Sequence, residues 1–389
     1  MKRILCFVIA LICVFSIGKS LSFSERVYAD SEFSAFSSKS YVLVDKNSGE
    51  VLINKNGNQK MPVASICKLM TSLITLESIE EGKLSLEDNL IASEHACNME
   101  GSQAFLDAGS EYNVRELLKS VIVASANDSA VVLAEHIGGS EENFIKLMNA
   151  KAKKLGMKNT VYANSTGLEA PNQYSTALDT SKILAEINKY ELYKEDCKIW
   201  MDEFVHPSGR VTELVNTNRL IKYYQPCISG KTGFTDDAGY CLSACADKND
   251  IQLIAVTLKC KDSASRFKEC MDLLNYGFNH YENASIVRCG EGVSNSIRVL
   301  MGNKEDIKLV YEKDFSVLTK KGDKNSITTK LNLPKEIKAE IKKNDIIGNI
   351  EILKNGVLIG KVNIVSNENI EKHNLRDIIE KINENWNVI

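Results

Sequence analysis

The sequence predicts a mixed α/β (α+β) chain: one sheet built from strands far apart in sequence and covered by helices, then a small all-β domain. Three observations carry this prediction. Short apolar runs bounded by turn residues occur near residue 41 and again at 228–259. Helical periodicity fills most of the stretch from Ala64 to Ile137, and beyond about Asn283 the chain turns to short β-like runs with Gly and Asn between them. Strands at both ends of a helical segment bury their apolar sides by joining one sheet under those helices. A length of 389 residues suits two domains.

In chain order, Met1-Lys2-Arg3 is a basic start, Ile4 to Ile17 is an almost unbroken apolar run, and Val27-Tyr28-Ala29 is a small-residue cleavage site. That layout predicts a secretory signal peptide over 1–29, the apolar run being short for a membrane span. An uncleaved N-terminal anchor shares the first two features. Next, Tyr41-Val-Leu-Val-Asp45 and Val51-Leu-Ile-Asn54 flank Asn47-Ser48-Gly49 and read as a hairpin. Val114, Leu117, Leu118, Val121 and Ile122 share one helical face. Two strands then flank an Asp-Lys-Asn-Asp turn at 247–250, and 263–281 return to helical period with Phe267, Cys270, Met271, Leu274 and Phe278 on one side. In the last third, Lys354-Asn355-Gly356 between two β-like runs is a strong hairpin signal. The domains expected are a catalytic domain over 30–283, a β-rich domain over 284–372 and a helix over 373–389.

Composition excludes several classes. At 44% hydrophobic and 25% charged the chain is ordinary globular, and a formal charge of −3 lacks the basic excess that nucleic-acid binding needs. Removing residues 1–29, which hold four basic side chains and one acidic, takes that charge from −3 to −6. Eleven cysteines, two of them in the leader, leave an odd number with irregular spacing and no C-x-x-C pair. Cys241 and Cys245 share one predicted strand, about 13 Å apart, so they cannot bond. Small buried thiols are the expectation. The five histidines are scattered, so neither a metal site nor a cofactor is expected.

Three motifs carry chemistry. In Ser65-Ile-Cys-Lys68, Pro62 sets up a helix start, and Lys68 lands on the face of Ser65 one turn on. A lysine depressed by burial can take the serine proton, and the helix start favours developing negative charge. The tetrad alone is weak, since Ser16–Lys19 and Ser265–Lys268 repeat it. Ser125-Ala-Asn127 lies between two helical stretches, where the hydroxyl can relay a proton and the amide can hold a substrate carbonyl; a helix cap would use the same serine. Lys231-Thr232-Gly233, ahead of Phe234-Thr235, suits a carboxylate as point charge and donor, and Gly233 admits a close backbone. An edge-strand lysine that discourages aggregation would look the same.

In this order the three motifs resemble the active-site set of penicillin-recognising serine enzymes. Asn164-Ser-Thr-Gly-Leu168, Tyr174-Ser-Thr-Ala-Leu-Asp179, Asn216-Thr-Asn-Arg-Leu220 and the run Gly230 to Tyr240 narrow the resemblance to low-molecular-mass penicillin-binding proteins, the serine-type D-alanyl-D-alanine carboxypeptidases. The resemblance covers roughly residues 35–283. It implies a β-lactamase/transpeptidase-like five-stranded antiparallel sheet flanked by helices. It implies Ser65 as acylated nucleophile, Lys68 as its base, and Ser125 and Asn127 as a second wall. Lys231, Thr232, Gly233 and Thr235 would bind substrate, with Lys231 on its terminal carboxylate. The N–H groups of Ser65 and Phe234 would form the oxyanion hole. Many relatives have histidine where this chain has Phe234, which puts rate or substrate preference in question. Arg266 matches a family arginine. The implied partners are peptidoglycan stem peptides and β-lactams. A class A β-lactamase would need a second base on a Glu-x-x-Leu-Asn segment, which does not follow Ser125; Glu169 reads as a surface residue. A non-catalytic penicillin sensor would not need all three motifs.

At the C-terminus, Leu375, Ile378, Ile379, Ile382, Trp386 and Ile389 form one helical stripe. It predicts either a weak peripheral membrane anchor or a helix docked on the β domain. An exported protein at the cell wall or the outer face of the cytoplasmic membrane is the expectation.

Overall fold

The computed structural model describes residues 32–323, 325–374 and 379. The expected signal peptide and nearly all of the C-terminal stripe lie outside the described residues. Strands β1 (Ser40–Asp45) and β2 (Val51–Lys55) form the first hairpin. A short 3-10 turn, Ala64–Cys67, leads into α1 (Lys68–Glu80). The following segment holds β3 (Asn89–Ile91), α2 (Glu94–Cys97), β4 (Glu111–Asn113), α3 (Val114–Val123), α4 (Asn127–Gly138) and α5 (Glu141–Lys154). The small β3–β4 hairpin within this stretch escaped the helical reading. Then come α6 (Ala177–Ile187), α7 (Glu191–Cys197), a second small hairpin of β5 (Met201–Val205) and β6 (Val211–Val215), and α8 (Leu220–Tyr223). Strands β7 (Cys227–Thr235), β8 (Gly239–Lys248) and β9 (Ile251–Cys260) precede α9 (Ser263–His280).

The distant strands meet as expected in one antiparallel sheet, ordered β2-β1-β9-β8-β7. Alternation of side chains gives it two buried faces. Val42, Val44, Ile254 and Val256 point into the main helical core, while Leu43 and Leu253 meet α9 at Gly277, where a Cβ would lie 2.3 Å from Leu253. Helix starts follow local chemistry: the side chains of Ser93, Asn113, Ser140, Thr176 and Asp262 each accept a backbone N–H in the first turn of their helices. The whole predicted α3 face, Val114 to Ile122, is buried.

From Tyr281 onward the described chain is β-rich. Strands β10 (Tyr281–Val287), β11 (Ile297–Leu300), β12 (Asp306–Ile307), β13 (Leu309–Tyr311) and β14 (Phe315–Lys320) are followed by β15 (Ile327–Asn332), β16 (Glu336–Lys338), β17 (Ile346–Lys354) and β18 (Val357–Ser366). They form three small sheets around an aliphatic core that includes Ile297, Ile352, Val362 and Ile364. The β17–β18 turn has Asn355 and Gly356 at φ 52° and 77°, the paired positive angles that make Asn-Gly a hairpin signal. All nine cysteines among the described residues are free, and seven of them are buried.

Candidate active site

The site is assembled where the 3-10 turn meets the edge strand β7. Pro62 and Val63 lead into the turn, and Ala64 takes φ +48°, an uncommon backbone for a side chain with a Cβ. Ala64, Ile66 and Cys67 are buried, which leaves Ser65 as the half-exposed member of the turn. Two glycines clamp this turn. A Cβ on Gly233 would stand 2.4 Å from the Val63 carbonyl, and one on Gly167 would stand 2.0 Å from that of Ala64. The close backbone that Gly233 admits in this structure is the chain's own turn at Val63 and Ala64.

Lys68 is buried, and its Nζ lies 2.9 Å from Ser65 Oγ and 2.7 Å from the Thr166 carbonyl. Burial pulls its pKa from 10.5 down to about 7, against smaller opposing pulls from Cys67 and then Asp128. The Asp128 carboxylate is held by the backbone N–H groups of Ala104, Leu106 and Ser129. The loop that presents the Thr166 carbonyl is itself fixed: Glu141 accepts the N–H and hydroxyl of Ser165, whose carbonyl accepts Thr71 Oγ1. None of these supports belongs to the three motifs.

Ser125 sits between α3 and α4 at φ +65° and caps neither helix; Ala126 is the N-cap of α4 and makes no side-chain cap bond. Lys231 Nζ donates to Ser125 Oγ at 2.8 Å and to the Thr232 carbonyl at 3.0 Å. Lys231 is buried, unlike a lysine that guards an edge strand. Burial first, then repulsion from Lys68 and Arg266, holds its pKa well below the usual lysine value. Thr232 Oγ1 pairs with Thr217 Oγ1 at 2.7 Å. The Thr235 hydroxyl accepts the Ala238 N–H. Asn127 Nδ2 donates to the Glu100 carbonyl, and its buried Oδ1 has no protein partner. The amide thus keeps an unused acceptor, and its second N–H can still donate to a substrate carbonyl. Arg266 Nη1 donates to the Gly233 carbonyl at 3.1 Å, with its guanidinium over the Tyr240 ring. The Phe234 side chain projects outward against Tyr240, with ring centroids 4.4 Å apart. Among the described residues, no group of three His, Cys, Asp or Glu side chains could hold a metal ion.

A half-exposed serine hydrogen-bonded to a buried lysine of depressed pKa is the arrangement that acyl transfer by a Ser-Lys pair requires. A family model described as D-alanyl-D-alanine carboxypeptidase matches residues 26–262, and one described as penicillin-binding protein 5, C-terminal domain, matches residues 281–372. The chain belongs to the D-alanyl-D-alanine carboxypeptidase family and is a serine-type carboxypeptidase. It is 35% identical over 387 residues to the D-alanyl-D-alanine carboxypeptidase DacF of Bacillus subtilis, covering 99% of each chain. It is 32% identical to DacC of Escherichia coli, covering 86% of this chain and 84% of the relative. The crystal structure of penicillin binding protein 5 from Haemophilus influenzae superposes with a TM-score of 0.69 at 30% identity, covering 87% of this chain and 98% of the other.

Proposed function

We propose that this chain removes the terminal D-Ala from peptidoglycan stem pentapeptides through an acyl-enzyme on Ser65, and that β-lactams acylate the same serine. The observation that carries the proposal is the 2.9 Å contact of Lys68 Nζ with Ser65 Oγ, in a setting that brings the lysine close to neutrality. A neutral amine has two N–H groups and one lone pair. One N–H donates to the Thr166 carbonyl, which leaves the lone pair for the Ser65 proton. Ser65 Oγ then attacks the penultimate D-Ala carbonyl, and the oxyanion forms against the N–H groups of Ser65 and Phe234. The proton passes by way of Ser125 to the leaving amine, the terminal D-Ala departs, and water releases the shortened stem. Lys231 holds the terminal carboxylate, with Thr232 beside it. Asn127 Oδ1 is the free acceptor for a substrate N–H.

Glu169 is exposed, and its carboxylate accepts the Asp237 N–H at 3.0 Å, so it does not serve as a second base for rapid deacylation. Intact-mass spectrometry after penicillin treatment should show one adduct, on the peptide containing Ser65. An adduct on another serine overturns the assignment.

The enzyme works outside the cytoplasm, exported by its leader, with residues 374–389 as a weak peripheral anchor that gains little from anionic lipid. Among the described residues no helix is long and apolar enough to cross a membrane. Vesicle co-sedimentation of the mature chain and a form ending at Asn374 tests the anchor. Equal recovery of both in the supernatant, with the shorter form less stable, makes the segment a packing element.

A further inference from the structure

The loop ahead of β4 carries no motif, yet it is bonded closely to the Ser-x-Asn segment. Its Glu100 and Ser102 carbonyls accept the side-chain and backbone N–H groups of Asn127. The N–H groups of Ala104 and Leu106 close on the Asp128 carboxylate at 3.0 and 3.1 Å. Phe105, between these two donors, takes φ +62°, an uncommon angle for an aromatic residue, and so lets both face one carboxylate. The peptide unit joining Phe105 to Leu106 is held from both sides. Its N–H donates to Asp128, and its carbonyl accepts Arg210 Nη2. Arg210 comes from the turn of the β5–β6 hairpin and also reaches Asp107 Oδ1 at 2.9 Å. One peptide unit thus stands between a guanidinium and the carboxylate next to Asn127.

Arg210 is seated by His206, a buried histidine that none of the catalytic roles assigned above uses. His206 Nδ1 lies 3.1 Å from Arg210 Nη2 and 3.0 Å from the Tyr112 hydroxyl, while Nε2 lies 2.9 Å from Thr212 Oγ1. A guanidinium only donates, so Nδ1 must accept, and the ring proton sits on Nε2 toward Thr212. A proton on Nδ1 would set two donors face to face and a second cation against Arg210. The Phe204 ring packs on the imidazole, and the Asp107 carboxylate, 3.8 Å from Nδ1, accepts the Tyr112 hydroxyl. Burial first, then repulsion from Arg210, lowers the histidine pKa against pulls from Asp107 and Asp128. We propose that His206 and Arg210 are positioning residues: the imidazole seats the guanidinium, and the guanidinium holds the Phe105–Leu106 peptide so that the loop fixes Asn127 and Asp128 at the wall of the site. Neither side chain touches the reacting atoms. This inference rests on the acyl-enzyme reading, which gives Asn127 its contact with substrate.

The test is the rate constant for acylation of Ser65 by penicillin, with the final adduct per chain read by intact mass. Arg210→Ala, at a partly exposed position, should slow acylation by about tenfold, the scale of one charge-assisted hydrogen bond, with the final adduct still complete. His206→Leu removes the acceptor and should slow it about as much. His206→Asn, whose carbonyl oxygen can take the place of Nδ1, should stay within about twofold of the unaltered enzyme. In the Arg210→Ala background His206→Leu should add little, since it acts through the guanidinium. A purely structural histidine would lower the fraction of chains that acylate, leave the rate constant alone, and be replaced no better by asparagine than by leucine. An unchanged rate constant in Arg210→Ala, an asparagine variant as slow as the leucine one, or additive losses in the double variant overturns the proposal. If His206→Leu does not fold, Arg210→Ala and His206→Asn decide it alone. Absence of any adduct on Ser65 of the unaltered enzyme would instead strike at the acyl-enzyme reading itself.

Discussion

The two halves of this molecule bury different things. The core around β1, β7–β9 and the helices encloses Lys68, Ser125, Asn127, Asp128 and Lys231 among its apolar side chains. Among the described residues of the β-rich half, the buried polar side chains from β10 onward are Thr319 and Ser366, and its core cluster is made of valine, leucine and isoleucine. An aliphatic core can be assembled by burial alone. A core that holds charged or chargeable groups must supply each with partners or shift its protonation, because an isolated buried charge is too costly to keep. Here Thr166, Ser125 and the backbone amides over Asp128 act as partners, and both lysines are displaced toward neutrality. The half that tolerates this strain is the half that can do chemistry.

Ser65→Ala should abolish the penicillin adduct and D-Ala release altogether; any remaining single-site adduct would move the nucleophile elsewhere. Lys68→Arg keeps charge and removes basicity, so acylation should fall by about 10²–10⁴-fold. With neutral Lys68 as the proposed base and its pKa brought by burial to about 7, acylation by the unaltered enzyme should rise with pH through about 7 and then level. A rate flat from pH 5 to 9 would contradict that role. Lys231→Ala should lower kcat/KM for carboxylate substrates by roughly 10²-fold, the scale of removing one partner from a buried charge pair. C-terminally amidated peptides should be insensitive to it.

In the other half the effects should appear in stability rather than rate. Ile364→Ala, at a fully buried position of β18, should cost about 2–5 kcal/mol in unfolding of the β-rich segment, read by denaturant titration. Penicillin acylation of Ser65 should be unchanged, and a parallel loss of acylation would mean that the halves are energetically one. The smallest effect concerns a link between them. Lys354 Nζ lies 2.6 Å from Glu50 Oε2, at a partly exposed position. Glu50→Gln should shift stability by less than about 1 kcal/mol.

Much of this was legible in the chain because it depends on neighbours in sequence. The α3 face is a period of 3.6, the β17–β18 hairpin an Asn-Gly pair, and the Ser65–Lys68 contact a single helical turn. The order of three short motifs identified the family and, through it, the five-stranded sheet. Other features were hidden. Nothing in Thr166 or Gly167 marks them as the acceptor for Lys68 and the clamp on the nucleophile turn, since the first acts through a backbone carbonyl and the second through a missing side chain. Nor could Ser125 be told from a helix cap until Lys231 reached it across the fold.

The sequence by itself determined which residues could do the chemistry and the local geometry that readies them, because propensity, turns and helical spacing act over a few residues. Only the tertiary structure decided their protonation and their partners. Burial and long-range hydrogen bonds set those, and they exist only once segments distant in the chain have closed around one another.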